Sequence, residues 1–459
     1  MTELPPALPR PLPPLVAERL GALRMRPIEP VEKGFGALRE PASAASLAAA
    51  RPPLREAGLT YPLLTLRESA LRNNLAAMAA YCARAGVELA PHGKTAMSPE
   101  LAACQLAHGA WGITVASIGQ LQTYRTFGFP RLLLANELTD TAGIAWLAAE
   151  LAADAGFEAY CYVDSPDGVA ILDRMLRRHP AGRPLPVLVE IGHAGGRTGC
   201  RTHEAALAVA KAAQATGTLT VAGVAGYEGT IAGGEPEIAA FCRRLRAVAG
   251  ALGDGNGRCI VTAGGSAYFD VVTRELTARG PGATAPVQVI LRSGAYLTHD
   301  HGFYGTMSPA GRGAAGAPVL RPALELWAQV LSRPEPGLAL LGAGRRDVGF
   351  DMGFPIPLRV IGSAGPGGRP PGTSRFSSWG DPSPQTPLGR DPTPRTPLGT
   401  ITELNDQHAY LRLDEAAALG PGDLVGLGIS HPCTTLDKWR VLVVLNDDDL
   451  VIDMVHSFF

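Results

Sequence analysis

The residues with the clearest chemical potential lie in two short stretches more than three hundred positions apart. The first is Val87 to Thr95, reading Val-Glu-Leu-Ala-Pro-His-Gly-Lys-Thr, where an apolar strand-like run ends in Pro91, His92 and Gly93 and places Lys94 at the start of a loop. An amine held against apolar walls loses hydration, so its charged form is disfavoured and its pKa falls toward the range where it attacks a carbonyl. A lysine after a strand is just as well a solvated surface residue, and residue type alone does not separate the two. The second stretch is Ser430-His431-Pro432-Cys433-Thr434-Thr435. In extended chain, residues two apart point the same way, so His431 and Cys433 can present nitrogen and sulfur to one ion, a donor pair that suits Zn2+. A core cysteine beside a surface histidine is the competing account.

Holding such groups in place takes a scaffold, and 459 residues with 46 % hydrophobic content are enough for two domains. Lys+Arg 41 against Asp+Glu 42 leaves a net charge of -1, so no global field favours nucleic acid or an anionic membrane. A small molecule is the expected partner. Seven cysteines without paired spacing and no secretory leader suggest a reduced, cytoplasmic setting without disulfides. No stretch supplies the roughly 18 uninterrupted apolar residues of a membrane span.

Residues 1–58 read as a proline-rich N-terminal arm, extended or disordered, since Pro5, Pro6, Pro9, Pro11, Pro13 and Pro14 crowd its start. From Tyr61 a short strand, Leu63 to Leu66, leads into an amphipathic helix, Ser69 to Arg84. Apolar runs then recur at 87–90, 112–116, 131–135, 159–163, 186–191, 221–225, 259–262 and 287–291, separated by alanine-rich helical stretches. Such alternation predicts an α/β domain at 59–310, a (β/α)8 TIM barrel whose site is built at the carboxyl ends of its strands. A doubly wound sheet is the alternative from pattern alone. The chemically interesting residues fall just after runs one, six, seven and eight, as a barrel requires. Residues 311–459 carry strand runs with little helix and predict a mostly antiparallel β domain. Within it, 363–400 is a Gly/Pro/Ser/Arg tract ending in a tandem decapeptide, expected as a disordered insert.

The segment Pro91-His92-Gly93-Lys94-Thr95 resembles the Schiff-base lysine motif of the alanine racemase-like (fold type III) pyridoxal-phosphate enzymes, and within them the D-serine dehydratase and D-threonine aldolase branch. Gln105, Gly109, Trp111, Gly112 and Ile113 are similar to that branch as well. The resemblance implies pyridoxal 5'-phosphate as cofactor, with Lys94 as its attachment point and catalytic base. Glu190, Gly192, Arg197, Thr198 and Gly199 resemble the fifth-strand segment of the fold, which places Arg197 beside the phenolic oxygen of the ring. Tyr227 stands in a Tyr-x-Gly segment near the cofactor. Gly264, Gly265 and Ser266 form a turn whose N–H groups and hydroxyl can approach a phosphate. Arg292, Ser293 and Gly294 resemble the racemases' Arg-Pro-Gly, with a serine in place of proline, so Arg292 is expected to face the ring nitrogen and Gly294 and Ala295 to touch the phosphate. A guanidinium can only donate, which leaves that nitrogen unprotonated. A structural salt bridge is the other account of Arg292.

The branch's dehydratases carry His-x-Cys where His431 and Cys433 stand, whereas its aldolases are associated with His-x-Asp. The implied activity is therefore zinc-assisted dehydration of β-hydroxy D-amino acids such as D-serine to a 2-oxo acid and ammonia, in a homodimer. Retro-aldol cleavage to glycine and an aldehyde is the alternative, and a non-catalytic cofactor-binding protein the third. No second base for racemisation is identifiable. All of this requires Lys94 and the His431–Cys433 pair to serve one substrate.

Overall fold

The structure, a computed structural model, describes residues 10–252, 259–278, 287–362, 398–413 and 417–459. The expected disordered insert therefore lies, up to residue 397, outside the described residues. The chain divides into two compact units, one of Met1–Leu23, Asn74–Tyr296 and Met307–Val319, the other of Arg24–Asn73, Leu297–Thr306 and Leu320–Phe459.

The first unit is the barrel. Its eight strands are Glu88–Leu89, Ile113–Val115, Arg131–Glu137, Glu158–Val163, Leu185–Ile191, Leu219–Gly226, Cys259–Ala263 and Val287–Leu291, one for each apolar run in the sequence. They pair in parallel from the second through the eighth, and the eighth pairs with the first. The first and second meet through a parallel bridge between His92 and Thr114, which completes the ring. Ala90, Leu133, Tyr162, Leu188, Ala225, Ile260 and Ile290 pack together as one cluster, nearly one residue per strand, so the interior is a filled core. Both faces of such strands are covered, which is why they read as unbroken apolar runs.

The second unit is a mostly antiparallel sheet. Leu324–Glu335 is its longest strand, pairing with Leu338–Leu341, Leu424–Gly428 and Leu63–Arg67. Ile356–Ile361, Thr400–Leu404, Ala409–Arg412, Val441–Leu445 and Val451–His456 complete it. Two expectations change here. The strand at Leu63–Arg67 belongs to this sheet and not to the barrel unit, pairing in parallel with Val441–Leu445. The N-terminal segment is not an extended arm from residue 10 onward. Pro14–Arg24 is helical, with prolines just before it and at its first position, where a missing N–H costs nothing. Ile28, Phe35, Ala44 and Leu54 then enter the second unit's core with Leu63, Trp327 and Val443.

A buried ion network ties this sheet together. Arg67 donates to Glu325 (3.2 Å) and Asp449 (2.8 Å), Arg359 donates to Glu325 and Asp449 (each 2.6 Å), and the Arg359 guanidinium lies 4.5 Å from the centre of the Trp327 ring. Burial pushes the Glu325 carboxyl up, but Arg359 and Arg67 outweigh it and hold it below the usual range. No described helix is long and apolar enough to cross a membrane, and all seven cysteines are free thiols.

Removing one member of a buried charge network strands its partners. Glu325→Gln should lower stability by about 3 kcal/mol, read as a reduced urea midpoint; an unchanged midpoint would show that the network is dispensable.

Candidate active site

Lys94 follows the seam that closes the barrel. Trp111 N donates to Leu89 O (2.7 Å), Thr114 N to Pro91 O (2.9 Å), and the Thr114 hydroxyl to Ala90 O (2.6 Å). Tyr124 donates its hydroxyl to Gly93 O (2.9 Å), and a Cβ on Gly93 would lie 2.6 Å from that hydroxyl, so only glycine fits. Gly93–Thr95 then forms a single tight turn. These bonds fix the backbone while leaving the Lys94 side chain exposed. The apolar walls expected around the amine are thus absent from this structure, because the turn carries the residue out past the end of the strand.

Instead, Lys94 belongs to a group of cations. Burial and the charges of Lys94, Arg292 and Arg197 push the His92 imidazole well below its usual range, so it stays neutral among three positive groups. Its Nδ1 is buried without a partner, as is the Tyr162 hydroxyl at the end of the fourth barrel strand. Arg292, 6 % exposed, donates to the Thr262 hydroxyl (2.8 Å) and to Gly226 O (2.6 Å). It is therefore braced by neutral protein acceptors, and among the described residues it forms no salt bridge of the kind the other account proposed. The Arg197 guanidinium lies 4.8 Å from the centre of the Tyr227 ring. A small, open recess lies beside this pair, lined by Glu190, Ile191, Gly192, His193, Arg197, Thr198, Tyr227 and Thr230.

Gly264 takes φ +92°, a conformation glycine favours, and Gly294 approaches His92 so closely that a Cβ would stand 2.4 Å from its carbonyl oxygen. Ala295 is buried beside it, and Ser266 is half-buried in the turn. The N–H groups of Gly264 and Gly265, expected to cradle a phosphate, donate to the Glu228 carboxylate at 3.1 and 2.6 Å. Glu228 is a site residue that sequence reasoning passed over.

So is Glu137, at the end of the third barrel strand. Burial, then the charge of Glu190, raises the Glu137 carboxyl to about 8, and both of its oxygens are buried without a hydrogen-bond partner. Its position after a barrel strand was the available signal. Three cations, unpartnered buried polar atoms and glycine-lined close approaches fit a ring compound that carries an anionic group.

The His431–Cys433 pair lies in the second unit. Pro432 adopts a helical conformation and Cys433–Leu436 is one helical turn, so the extended chain expected there is not observed. The proline ring fixes φ near the helical value. His431 and Cys433 nevertheless remain side by side, and the contact with Cys433, followed by that with Asp351, raises the imidazole to about 9. Asp351 pairs with His431 Nδ1 at 2.7 Å and accepts from the Thr434 hydroxyl at 2.7 Å. A carboxylate on Nδ1 leaves Nε2 as the donor for a metal, the usual support of a ligating histidine. Asp300, raised to about 7 by burial, has one oxygen buried without a partner and feels the charge of His431. Nitrogen, sulfur and this supporting carboxylate fit a divalent ion, although among the described residues no three His, Cys, Asp or Glu are already grouped around one point.

Residues 66–282 match the family model described as alanine racemase, N-terminal domain, and residues 323–445 that described as putative serine dehydratase domain. The two matches together make the chain similar to the D-serine dehydratase and D-threonine aldolase branch of the alanine racemase-like enzymes. A D-threonine aldolase of Arthrobacter sp. is 27 % identical over 396 residues, 84 % of this chain and 89 % of the relative. The crystal structure of D-threonine aldolase from Filomicrobium marinum superposes with a TM-score of 0.69 at 23 % identity, covering 88 % of this chain and 96 % of that one. A D-threo-3-hydroxyaspartate dehydratase, a cysteine-to-alanine mutant in the metal-free form, gives a TM-score of 0.64 at 20 % identity, covering 89 % and 99 %. The two family models fall on the barrel and on the antiparallel sheet, so the fold of the alanine racemase-like enzymes accounts for both.

The Glu137–Glu190 pair makes stability depend on pH. Because the folded pKa of Glu137 is about 8 against an ordinary 4.5, the folded state binds more protons between those values, and stability falls as pH rises through that window. Glu137→Gln cannot ionise. Its melting temperature relative to the parent should therefore be higher at about pH 8.5 than at about pH 5; an equal difference at both would rule out the raised pKa of Glu137.

Proposed function

We propose that the protein is a pyridoxal 5'-phosphate- and zinc-dependent lyase of β-hydroxy D-amino acids such as D-serine, releasing a 2-oxo acid and ammonia. The observation that carries this reading is the presence, in one chain, of a lysine beside an electropositive barrel mouth and of a His431–Cys433 pair oriented by Asp351. When bound, the cofactor supplies an electrophilic carbon and a ring that accepts electrons from the substrate's α-carbon.

Lys94 holds the cofactor and moves the proton at Cα, its exposed side chain having the freedom to do both. Arg197, fixed over Tyr227, presents a charge to the ring oxygen, and Tyr227 packs against the ligand. Arg292 spends donors on Thr262 and Gly226 and so contributes a fixed positive charge next to His92. The turn at Gly264, Gly265 and Ser266, with Gly294 and Ala295, takes the phosphate. His431 and Cys433 hold the metal, whose part is to assist departure of a hydroxyl that is a poor leaving group.

Retro-aldol cleavage is the second reading, favoured by the D-threonine aldolases among the relatives. It needs the same metal and the same lysine but breaks Cα–Cβ, giving glycine and an aldehyde. A homodimer in the cytoplasm completes the proposal.

Purified protein given D-serine, D-threonine and 3-hydroxy-D-aspartate should release 2-oxo acid, lose that activity with a chelator and regain it with Zn2+. Cys433→Ala should lower turnover by about 100-fold or more, and Lys94→Ala should abolish it. Aldehyde without 2-oxo acid establishes the aldolase. Cofactor binding with no turnover of any of the three, unaltered in Cys433→Ala, leaves a non-catalytic binding protein.

A further inference from the structure

The turn after the seventh barrel strand holds the expected phosphate donors, yet two of its N–H groups are already taken. Glu228 Oε2 accepts from Gly264 N at 3.1 Å and Oε1 from Gly265 N at 2.6 Å, and the side chain is 1 % exposed. A phosphate cannot share those two N–H groups with a carboxylate. One of the two anions must be held elsewhere.

Burial decides which. A carboxylate this deep, once it loses its donors, keeps its full desolvation penalty, so displacing Glu228 is the costlier course. The turn is also fixed from its other sides. Gly264 O accepts from Arg292 N (3.2 Å) and from the Ser293 hydroxyl (2.9 Å), and Tyr268 N donates to Gly265 O (3.4 Å). A Cβ on Gly265 would meet the Tyr227 ring at 3.1 Å and Glu228 Oε1 at 3.3 Å, so both residues pack directly on the peptide. Ser266 is half-buried, and no hydrogen bond among the described residues engages its hydroxyl, its N–H or the N–H of Ala267.

We infer that Glu228 is a positioning residue for the anion site: it draws the N–H groups of Gly264 and Gly265 inward and leaves the Ser266 hydroxyl and the N–H groups of Ser266 and Ala267 as the donors for the phosphate. The inference rests on the cofactor reading above and specifies which atoms of this turn serve it. Glutamine at 228 accepts through one oxygen only and turns an NH2 group against the other glycine N–H, so the turn loses one of its two ties.

The test compares pyridoxal 5'-phosphate with pyridoxal, which lacks the phosphate, by absorbance titration of the metal-free full-length protein. Glu228→Gln should weaken pyridoxal 5'-phosphate about tenfold while changing pyridoxal less than about twofold. Ser266→Ala should show the same selective loss. An unchanged or tightened affinity for pyridoxal 5'-phosphate in Glu228→Gln overturns the inference, since a mere occupant of the phosphate site would leave it freer. Equal losses for both ligands also overturn it, because they mark general damage to the barrel. Should the glutamine variant not fold, Glu228→Asp, which keeps the charge but shortens its reach, is judged by the same outcomes. If the unmutated protein binds neither ligand, it is the cofactor reading that fails.

Discussion

The seam between the first and second barrel strands constrains everything at this site. A parallel barrel must close on itself, yet its first strand is only two residues long and is paired as a ladder on one side alone, with the eighth strand. The other side is closed by separate bonds to the carbonyls of Leu89, Ala90 and Pro91 from Trp111 and Thr114. Each contributes about 1 kcal/mol net, but a buried carbonyl left unpaired costs about 1–3 kcal/mol, so the seam forms as a set or not at all. Pro91 has no N–H to satisfy, and Gly93 admits the Tyr124 hydroxyl. The same few residues that end the strand thus finish the barrel, and Lys94 inherits a fixed backbone with a free side chain.

Charge at the barrel mouth follows from how each group is satisfied. Glu228 is held by backbone N–H groups and Arg292 by neutral oxygens, while burial and the neighbouring Glu190 raise the Glu137 carboxyl toward its neutral form. Arg292 keeps its positive charge, which acts on His92. What remains directed outward is the positive charge of Lys94 and of Arg197, with neutral His92 between the cations. A surplus of that sign favours an anion, and the Arg197 charge is stacked on the Tyr227 ring.

Much of this was legible in the sequence for a physical reason. Strands covered on both faces must be apolar throughout, so eight runs stood out, and a barrel places its chemistry after them, which led to Lys94, Tyr227, Gly264 and Arg292. Glu228 was not legible. Its burial depends on N–H groups some thirty-six residues further along the chain, and a glutamate after a tyrosine in a loop otherwise reads as surface. Nor could local pattern show that Leu63–Arg67 pairs with strands near residues 324 and 443, since alternation reveals a strand but not its sheet. The N-terminal segment misled because its apolar contributions, Ile28, Phe35, Ala44 and Leu54, are single residues in short irregular pieces with no period to detect. At His431 and Cys433 the pairing was legible while the backbone was not, because Pro432 favours a helical turn over a strand.

The two units share one physical device. Glu228 in the barrel and Asp351 in the sheet are carboxylates that engage donors on neighbouring residues of the candidate site. Glu228 takes two N–H groups of a turn; Asp351 takes one nitrogen of an imidazole and a threonine hydroxyl. In each case a group with two chemically equivalent faces is left with only one available, and the direction of that face is set by an anion already bonded to the protein. Orientation fixed in this way costs no rearrangement when a ligand arrives, which is the physical content of preorganisation. It also explains why the site's most informative residues are not its donors. A donor can be guessed from its type, whereas the carboxylate that aims it is recognisable only once the fold has brought the two together.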